Sequence, residues 1–278
     1  MNWVSYKSAE PTDTLMTSSI DRIAPTHRPD ERVIGYHCWS NLLFVHWRVP
    51  AEEIEPLIPS RLTLDTFDGE AWIGLVPFHM SGVRPWWSPP ILGISTFHET
   101  NVRTYVHLDG SDPGVWFLSL DAASSLAVRL ARWRWHLPYY RSRMTVSRDG
   151  DNVHYSSQRL WPRTPNGPIA DPRDIRLSID AELGEPCGQP SADTSAYNAV
   201  PDTIEHFFVE RYILFAHSQS GQLLRGRVHH GSYPVRAARL DRLEENLTTA
   251  TGISTKLGEP HVLFSEGVDV EIFPLRPV

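Results

Sequence analysis

The chain is cut into about ten short β-rich runs by proline, Asp-Gly and other turn signals, and its few helical stretches do not alternate with them. That pattern limits the fold more than any other feature. Runs at residues 41–49, 63–67, 71–78, 97–108 and 114–120 precede a helical stretch at 122–136. Further runs follow at 144–148, 153–158, 175–183, 212–216, 223–229, 235–240 and 268–273. Short helices are predicted at 51–55, from Asp202 through Glu210, and at 243–250. A doubly wound parallel sheet needs strands and helices in regular alternation, which is missing here. The expectation is an α+β fold on a barrel-like or sandwiched antiparallel sheet.

Local chemistry sharpens several elements. Asp68-Gly69 separates two apolar runs and predicts a hairpin, because both turn residues must tolerate positive φ. Asp149-Gly150 is a second such turn. Asp121 is placed as the N-cap of the 122–136 helix, where its carboxylate would accept an orphan N–H. That helix carries Leu126, Leu130 and Trp133 on one stripe and Arg129, Arg132 and His136 on another. Pro138 ends it by pushing Leu137 out of helical geometry. The loop containing Trp86-Trp87 is either a lid or contact surface, or a packed corner.

The net charge of −7 argues against a nucleic-acid binder, which would show a concentrated basic face. Only Lys7 and Lys256 are lysines, and both lie near the chain ends, so a lysine Schiff base is not expected. Cys38 and Cys187 lack metal-ligand spacing and read as reduced thiols. Adjacent His229 and His230 would point to opposite faces of a strand, so no metal site and no cofactor is expected. Ser124-Ser125 lacks the elbow motif of a serine hydrolase. No apolar run is long enough to span a bilayer, and the first residues lack the order of a signal peptide, so the expected compartment is the cytoplasm. Residues 1–32, polar and interrupted by Pro11, Pro25 and Pro29, read as a flexible lead-in to a single domain at 33–278.

The run at 97–108 is the most informative. Side chains on a strand alternate faces, so Phe97, Glu99, Asn101, Arg103, Tyr105 and His107 share one side. Such a mixed polar face is either a solvated surface or the lining of a polar cavity.

Several segments together resemble the YqjF-like family, also known as domain-of-unknown-function 2071. They include His46-Trp47-Arg48-Val49-Pro50, Asp68-Gly69-Glu70-Ala71-Trp72-Ile73-Gly74, the strand Glu99-Thr100-Asn101-Val102-Arg103-Thr104-Tyr105, Leu120-Asp121-Ala122, Leu137-Pro138-Tyr139 and Glu210-Arg211-Tyr212. The resemblance covers nearly all the chain after Arg32 and implies an acetoacetate-decarboxylase-like fold, a cone-shaped β-barrel with an internal pocket. In the decarboxylases a lysine after a proline forms an imine with the ketone. Tyr139 stands at the comparable place here and cannot do so, so the decarboxylase activity does not carry over. Glu99 is similar in position to a pocket carboxylate of those enzymes.

On this reading Glu99 and Tyr139 are the catalytic candidates. Asn101, Arg103, Tyr105, Arg132, Glu210 and Arg211 are the ligand-binding candidates. Each has a plainer alternative. Glu99 and Arg103 could form a structural ion pair, Glu210 and Arg211 could tie a helix end to Asp121 or to the Arg129–Arg132 face, and Tyr139 could fill core. The functional expectation is a protein that binds a small carbonyl- or carboxylate-containing molecule. The alternatives are an acid–base enzyme acting on an enolisable carbonyl, or a protein-interaction module using the Trp86-Trp87 loop. A homo-oligomer stays open.

Overall fold

The computed structural model describes residues 20–278 apart from 92–93, 135–136, 165–166, 192–195 and 219. His136 therefore lies outside the described residues. The strands in chain order are β1 (Gly35–Val49), β2 (Thr63–Leu64), β3 (Ala71–Pro85), β4 (Phe97–Leu108), β5 (Ser111–Ala122), β6 (Tyr139–Asp149), β7 (Asn152–Trp161), β8 (Arg176–Pro186), β9 (Gln189–Pro190), β10 (Tyr197–Asn198), β11 (Ile213–His217), β12 (Leu223–His230), β13 (Val235–Glu245), β14 (His261–Ile272) and β15 (Arg276–Pro277). The helices are α1 (Ala51–Ile54), α2 (Ser125–Arg134), α3 (Ile204–Val209) and α4 (Leu247–Ala250). No helix among the described residues is long and apolar enough to cross a membrane.

Thirteen strands form one mixed sheet that curls on itself. Pairing runs β5-β6-β7-β8-β13-β14-β1-β3-β4 and returns from β4 to β5. A second circuit leaves β5 through β11 and β12 and rejoins at β14. Long strands with bulges make this possible. β1 shifts register between Tyr36 and Cys38 and again between Ser40 and Val45, with Asn41 at φ 49°. Such bulges bend and twist a strand, letting it serve curved surfaces.

The result is a sheet whose middle is buried on both sides. Alternate residues of β1 go to opposite cores: Leu43, Val45, Trp47 and Val49 join one, while Leu42 and Phe44 join the other. The first core takes Tyr155, Leu177 and Ile179 from β7 and β8. The second takes Phe78, Tyr105 and the α3 residues Phe207 and Phe208.

The sheet is antiparallel except at β5, which pairs parallel with both β11 and β6. Residues 117 and 118 of β5 fall between those two partners, and a cleft of about 320 Å³ opens there, lined by Trp116, Phe117, Leu118, Leu137 and Pro138 among others.

Some expectations need correction. The Asp68-Gly69 turn forms, with φ of 52° and 79°, but the runs beside it are not a hairpin. A single Phe67–Glu70 bridge closes the turn, and β2 pairs with β4 instead. Asp121 is not a helix cap, since β5 runs through Ala122 and α2 begins three residues later. The Ser124 hydroxyl takes the capping role, accepting from Ala127 N–H at 3.2 Å. Residues 243–245 extend β13 rather than start a helix. Helix α2 turns Val128 and Ala131 inward, leaving Leu126, Leu130 and Trp133 exposed. Trp86 and Trp87 are exposed too, with the Arg32 guanidinium 3.9 Å above the Trp86 ring.

Candidate functional site

The polar face of β4 is buried. Glu99, Asn101, Arg103 and Tyr105 point into the second core, beside α3 and Phe78. The strand alternation was read correctly, and the structure settles it as interior.

Glu99 is 3% exposed. Its cross-strand neighbours are Phe78 on β3 and Ala122 on β5, neither of which can hydrogen-bond to it. One side chain does. The Tyr139 hydroxyl donates to Glu99 Oε2 at 2.8 Å. Tyr139 opens β6, which runs parallel to β5 with Leu120 aligned to Tyr139, so the phenol crosses above β5 to reach β4. Ala122 carries only a methyl group, which leaves that path clear. Burial pushes the Glu99 carboxyl up to about 8, against the smaller opposing pull of the Tyr139 hydrogen bond, with the nearby Asp121 charge pushing the same way as burial. Burial, and then the Glu99 charge, holds the Tyr139 phenol well above its usual value, so it stays a donor.

The Glu99–Arg103 ion pair does not form. Four residues along a strand span roughly 13 Å, too far for the two side chains to meet directly. Arg103 instead donates through Nη2 to the Phe208 carbonyl at 2.8 Å, and the Tyr105 hydroxyl donates to the same oxygen at 3.2 Å. Arg211 Nε donates to the Phe207 carbonyl at 2.8 Å. These are carbonyls of the last turn of α3, which a helix leaves without internal partners. His46 hydrogen-bonds the Tyr105 hydroxyl at 2.6 Å and stacks on Phe208 with centroids 3.8 Å apart. Burial and the Arg103 charge keep that imidazole well below its usual range, hence neutral.

The remaining candidates are also engaged. Arg211 pairs with buried Asp65 at 2.7 Å, and Arg22 reaches the same carboxylate. Glu210 accepts from the Tyr212 hydroxyl and from Tyr233 N–H at 2.9 Å, and burial raises it to about 7. Neither residue ties to Asp121 or to the Arg129–Arg132 face. Arg132 donates to the Tyr139 carbonyl at 2.8 Å, fixing α2 to the first residue of β6. Asn101 is 5% exposed, and its Oδ1 has no protein partner among the described residues.

The sequence reading missed a second buried pair. Arg159 Nε contacts both oxygens of Asp121, at 2.9 and 3.3 Å, on the opposite side of the sheet from Glu99. The signal was there: Ser119 and Asp121 continue the alternation of β5, and Ser157 and Arg159 that of β7.

Comparison with known proteins places this geometry in a family. A family model, DUF2071, described as an uncharacterised conserved protein, matches residues 37–269. The chain belongs to the DUF2071 family. It is 32% identical over 248 residues to the uncharacterised protein YqjF of Bacillus subtilis, covering 89% of this chain and 94% of that one. Among solved structures it is similar to acetoacetate decarboxylase from Legionella pneumophila, with TM-score 0.58 and 12% identity over 98% of each chain. It is also similar to the enduracididine biosynthesis enzyme MppR in complex with pyruvate, with TM-score 0.54 and 11% identity, covering 90% of this chain and 93% of that one. An acetoacetate-decarboxylase-like enzyme from Sphingomonas wittichii follows, with TM-score 0.56 and 10% identity, covering 89% and 94%. These likenesses show that this chain has the acetoacetate-decarboxylase-like fold. Lys256 is exposed and lies well away in sequence from Tyr139, the position that the resemblance equates with the decarboxylase lysine.

Proposed function

We propose that this protein binds a small neutral carbonyl compound, with Glu99 and Tyr139 as its principal polar contacts. One observation carries the reading. Glu99 is a deeply buried carboxyl held by a single phenol and raised to about 8, so at neutral pH it is mostly protonated. A protonated carboxyl has its own O–H to donate, and a ketone or aldehyde oxygen is the natural acceptor. A carboxylate ligand would need a cation. Arg103 Nη2 is on the Phe208 carbonyl and Arg132 Nη1 on the Tyr139 carbonyl, while Arg103 Nε has no protein partner among the described residues. Asn101 Oδ1, on the same face of β4 and without a protein partner among the described residues, is the next contact we assign. Arg103, Tyr105, Glu210 and Arg211 then hold the frame around the site rather than the ligand.

The cleft beside β5 reaches Leu137 and Pro138, the two residues before Tyr139, but Glu99, Asn101 and Tyr139 are not among its lining residues, so it stands beside the proposed site and not at it. The fold relatives act on or hold carbonyl compounds by their names, acetoacetate decarboxylase and the pyruvate complex of MppR. That is support by analogy of fold.

A carboxyl titrating near 8 beside a phenol also suits acid–base chemistry, with Glu99 moving a proton and Tyr139 steadying an enolate-like oxygen. One experiment separates the readings. Cyclohexanone and acetophenone are titrated into the protein and followed by NMR in D₂O. Binding predicts saturable shifts that weaken above pH 8 and fall about tenfold in Tyr139→Phe, without deuterium entering the ketone. Catalysis predicts deuterium exchange at the α-carbon that is abolished in Glu99→Gln. No saturable binding by either ketone would sink both.

A further inference from the structure

Helix α2 turns an apolar stripe away from the protein. Leu126, Leu130 and Trp133 recur at spacings of four and three, so they share one side of the helix, and they are 52%, 45% and 68% exposed. Val128 and Ala131, on the other side, are buried. Trp161, at the end of β7 and 47% exposed, extends the stripe. The Arg132 guanidinium lies 6.0 Å from its ring. Arg141, opposite Trp161 across β6 and β7, donates from Nε to the Ser125 hydroxyl at 3.0 Å. These contacts join α2, the start of β6 and the end of β7 into one surface. Large apolar side chains gathered on an exposed face mark a place that something covers.

The charge of this surface runs against that of the molecule. The chain carries −7 overall, yet no Asp or Glu occurs between Asp121 and Asp149. Many arginines elsewhere are paired with acids: Arg28 with Glu271, Arg148 with Glu266, Arg239 with Glu182 and Arg276 with Glu31. Arg129, Arg132, Arg141 and Arg143 form no ion pair among the described residues, and Arg129, Arg132 and Arg143 are exposed. Burial, and then the charge of Arg143, lowers the pKa of the Arg141 guanidinium, so these two cations lie close enough to repel. Arg129 borders the apolar stripe on α2, one position before Leu130. The result is a positive amphipathic surface on an acidic protein.

We propose that this surface docks the protein, without spanning, on the anionic face of a lipid bilayer. Charge selects the partner. A second copy presenting the same face would set its uncompensated arginines against those of the first, which costs energy at every close pair. A bilayer rich in anionic headgroups supplies the missing negative charge over the whole surface at once. Shape selects it too. The stripe stands out on a helix, and neither the cleft beside β5 nor the one at β8 and β13 counts Leu126, Leu130, Trp133 or Trp161 in its lining. A rigid partner would have to bring a matching hollow, whereas lipids rearrange around protruding side chains. Each residue type then has a place. Guanidinium groups bind lipid phosphates, indole rings sit at the headgroup level, and leucines reach the acyl boundary.

The probe is a vesicle of phosphatidylcholine with one-third phosphatidylserine, compared with phosphatidylcholine alone, each sedimented with the full chain. Binding is expected to the anionic vesicles, about tenfold or more tighter than to the neutral ones. It should weaken about tenfold or more as salt rises from about 0.1 M to about 1 M, which shortens the Debye length from about 10 Å to about 3 Å. Each basic side chain at such a surface is worth about fivefold, so Arg129→Gln with Arg143→Gln should weaken binding about tenfold or more. Leu130→Ser with Trp133→Ser should do the same at low salt, because the apolar half of the contact is lost. All four side chains are exposed, so both double variants should melt where the parent does. If either does not, the lipid and salt dependence of the parent decides the matter. Equal binding to both kinds of vesicle, or binding to neither, overturns the proposal. So does a dimer in lipid-free solution that Trp133→Ser abolishes, since a second copy would then cover the face.

Discussion

Replacing Glu99 by Gln should change how stability responds to pH, with a sign and a window fixed by the structure. In the unfolded chain the carboxyl titrates near 4.5, and in the folded chain near 8. Below about 4.5 it is protonated in both states and has no differential effect. Between there and about 8 the unfolded chain has released a proton that the folded chain still binds, so stability is lost as pH rises and levels off above 8. One proton limits the slope to about 1.4 kcal/mol per pH unit, and the whole interval has a ceiling of about 5 kcal/mol. Such a loss is comparable to the net stability of many domains. A glutamine at this position cannot ionise yet can still accept from the Tyr139 hydroxyl, so the variant keeps the contact and loses the titration. The assay is urea unfolding of both proteins from pH 5 to 9. Parent stability should fall relative to E99Q by about 2–5 kcal/mol across that range. A difference that is flat, or that grows in the parent's favour with pH, would refute the burial argument.

Three further outcomes follow from the packing. Gly74→Ala should lower stability by about 1–3 kcal/mol in thermal melts, because a Cβ there would sit 2.7 Å from His46 Nε2. His46 cannot retreat from its stack on Phe208, and an unchanged melt would show that it can. Asp65→Asn should cost about 3–5 kcal/mol, since it leaves Arg211 buried beside a neutral amide; a loss under about 1 kcal/mol in urea unfolding would count against that pairing. By NMR, His230 should titrate near 4, depressed by burial, and a midpoint at or above the ordinary 6.5 would place it in water.

Much of this was legible in the sequence, for identifiable reasons. Strand β4 was found with its observed bounds because its alternation is uninterrupted, and the shared face of Glu99, Asn101, Arg103 and Tyr105 follows from period two alone. Which side of that face meets water is decided by α3 and the strands across the core, and local pattern does not encode it. The Glu99–Arg103 pairing failed on simple length, since sharing a face is not proximity. Asp121 looked like a cap because Asp before an apolar run usually is one, and its true partner lies 38 residues away on β7. The two parallel pairings of β5 were invisible for a related reason. They join segments separated by a helix or by a long excursion, and no turn signal marks them.

The central claim, a buried carboxyl that stays protonated and offers its proton to a ketone, is tested most directly by a pH titration of the Glu99 carboxyl carbon. The titration is followed by ¹³C NMR, assigned with Glu99→Gln, with and without saturating cyclohexanone. The midpoint is predicted near 8 in the free protein. It should move higher with ketone, because a ligand that accepts a hydrogen bond from the protonated carboxyl stabilises that form. A midpoint near the ordinary 4.5, or one near 8 that ketone leaves unmoved, would contradict the claim.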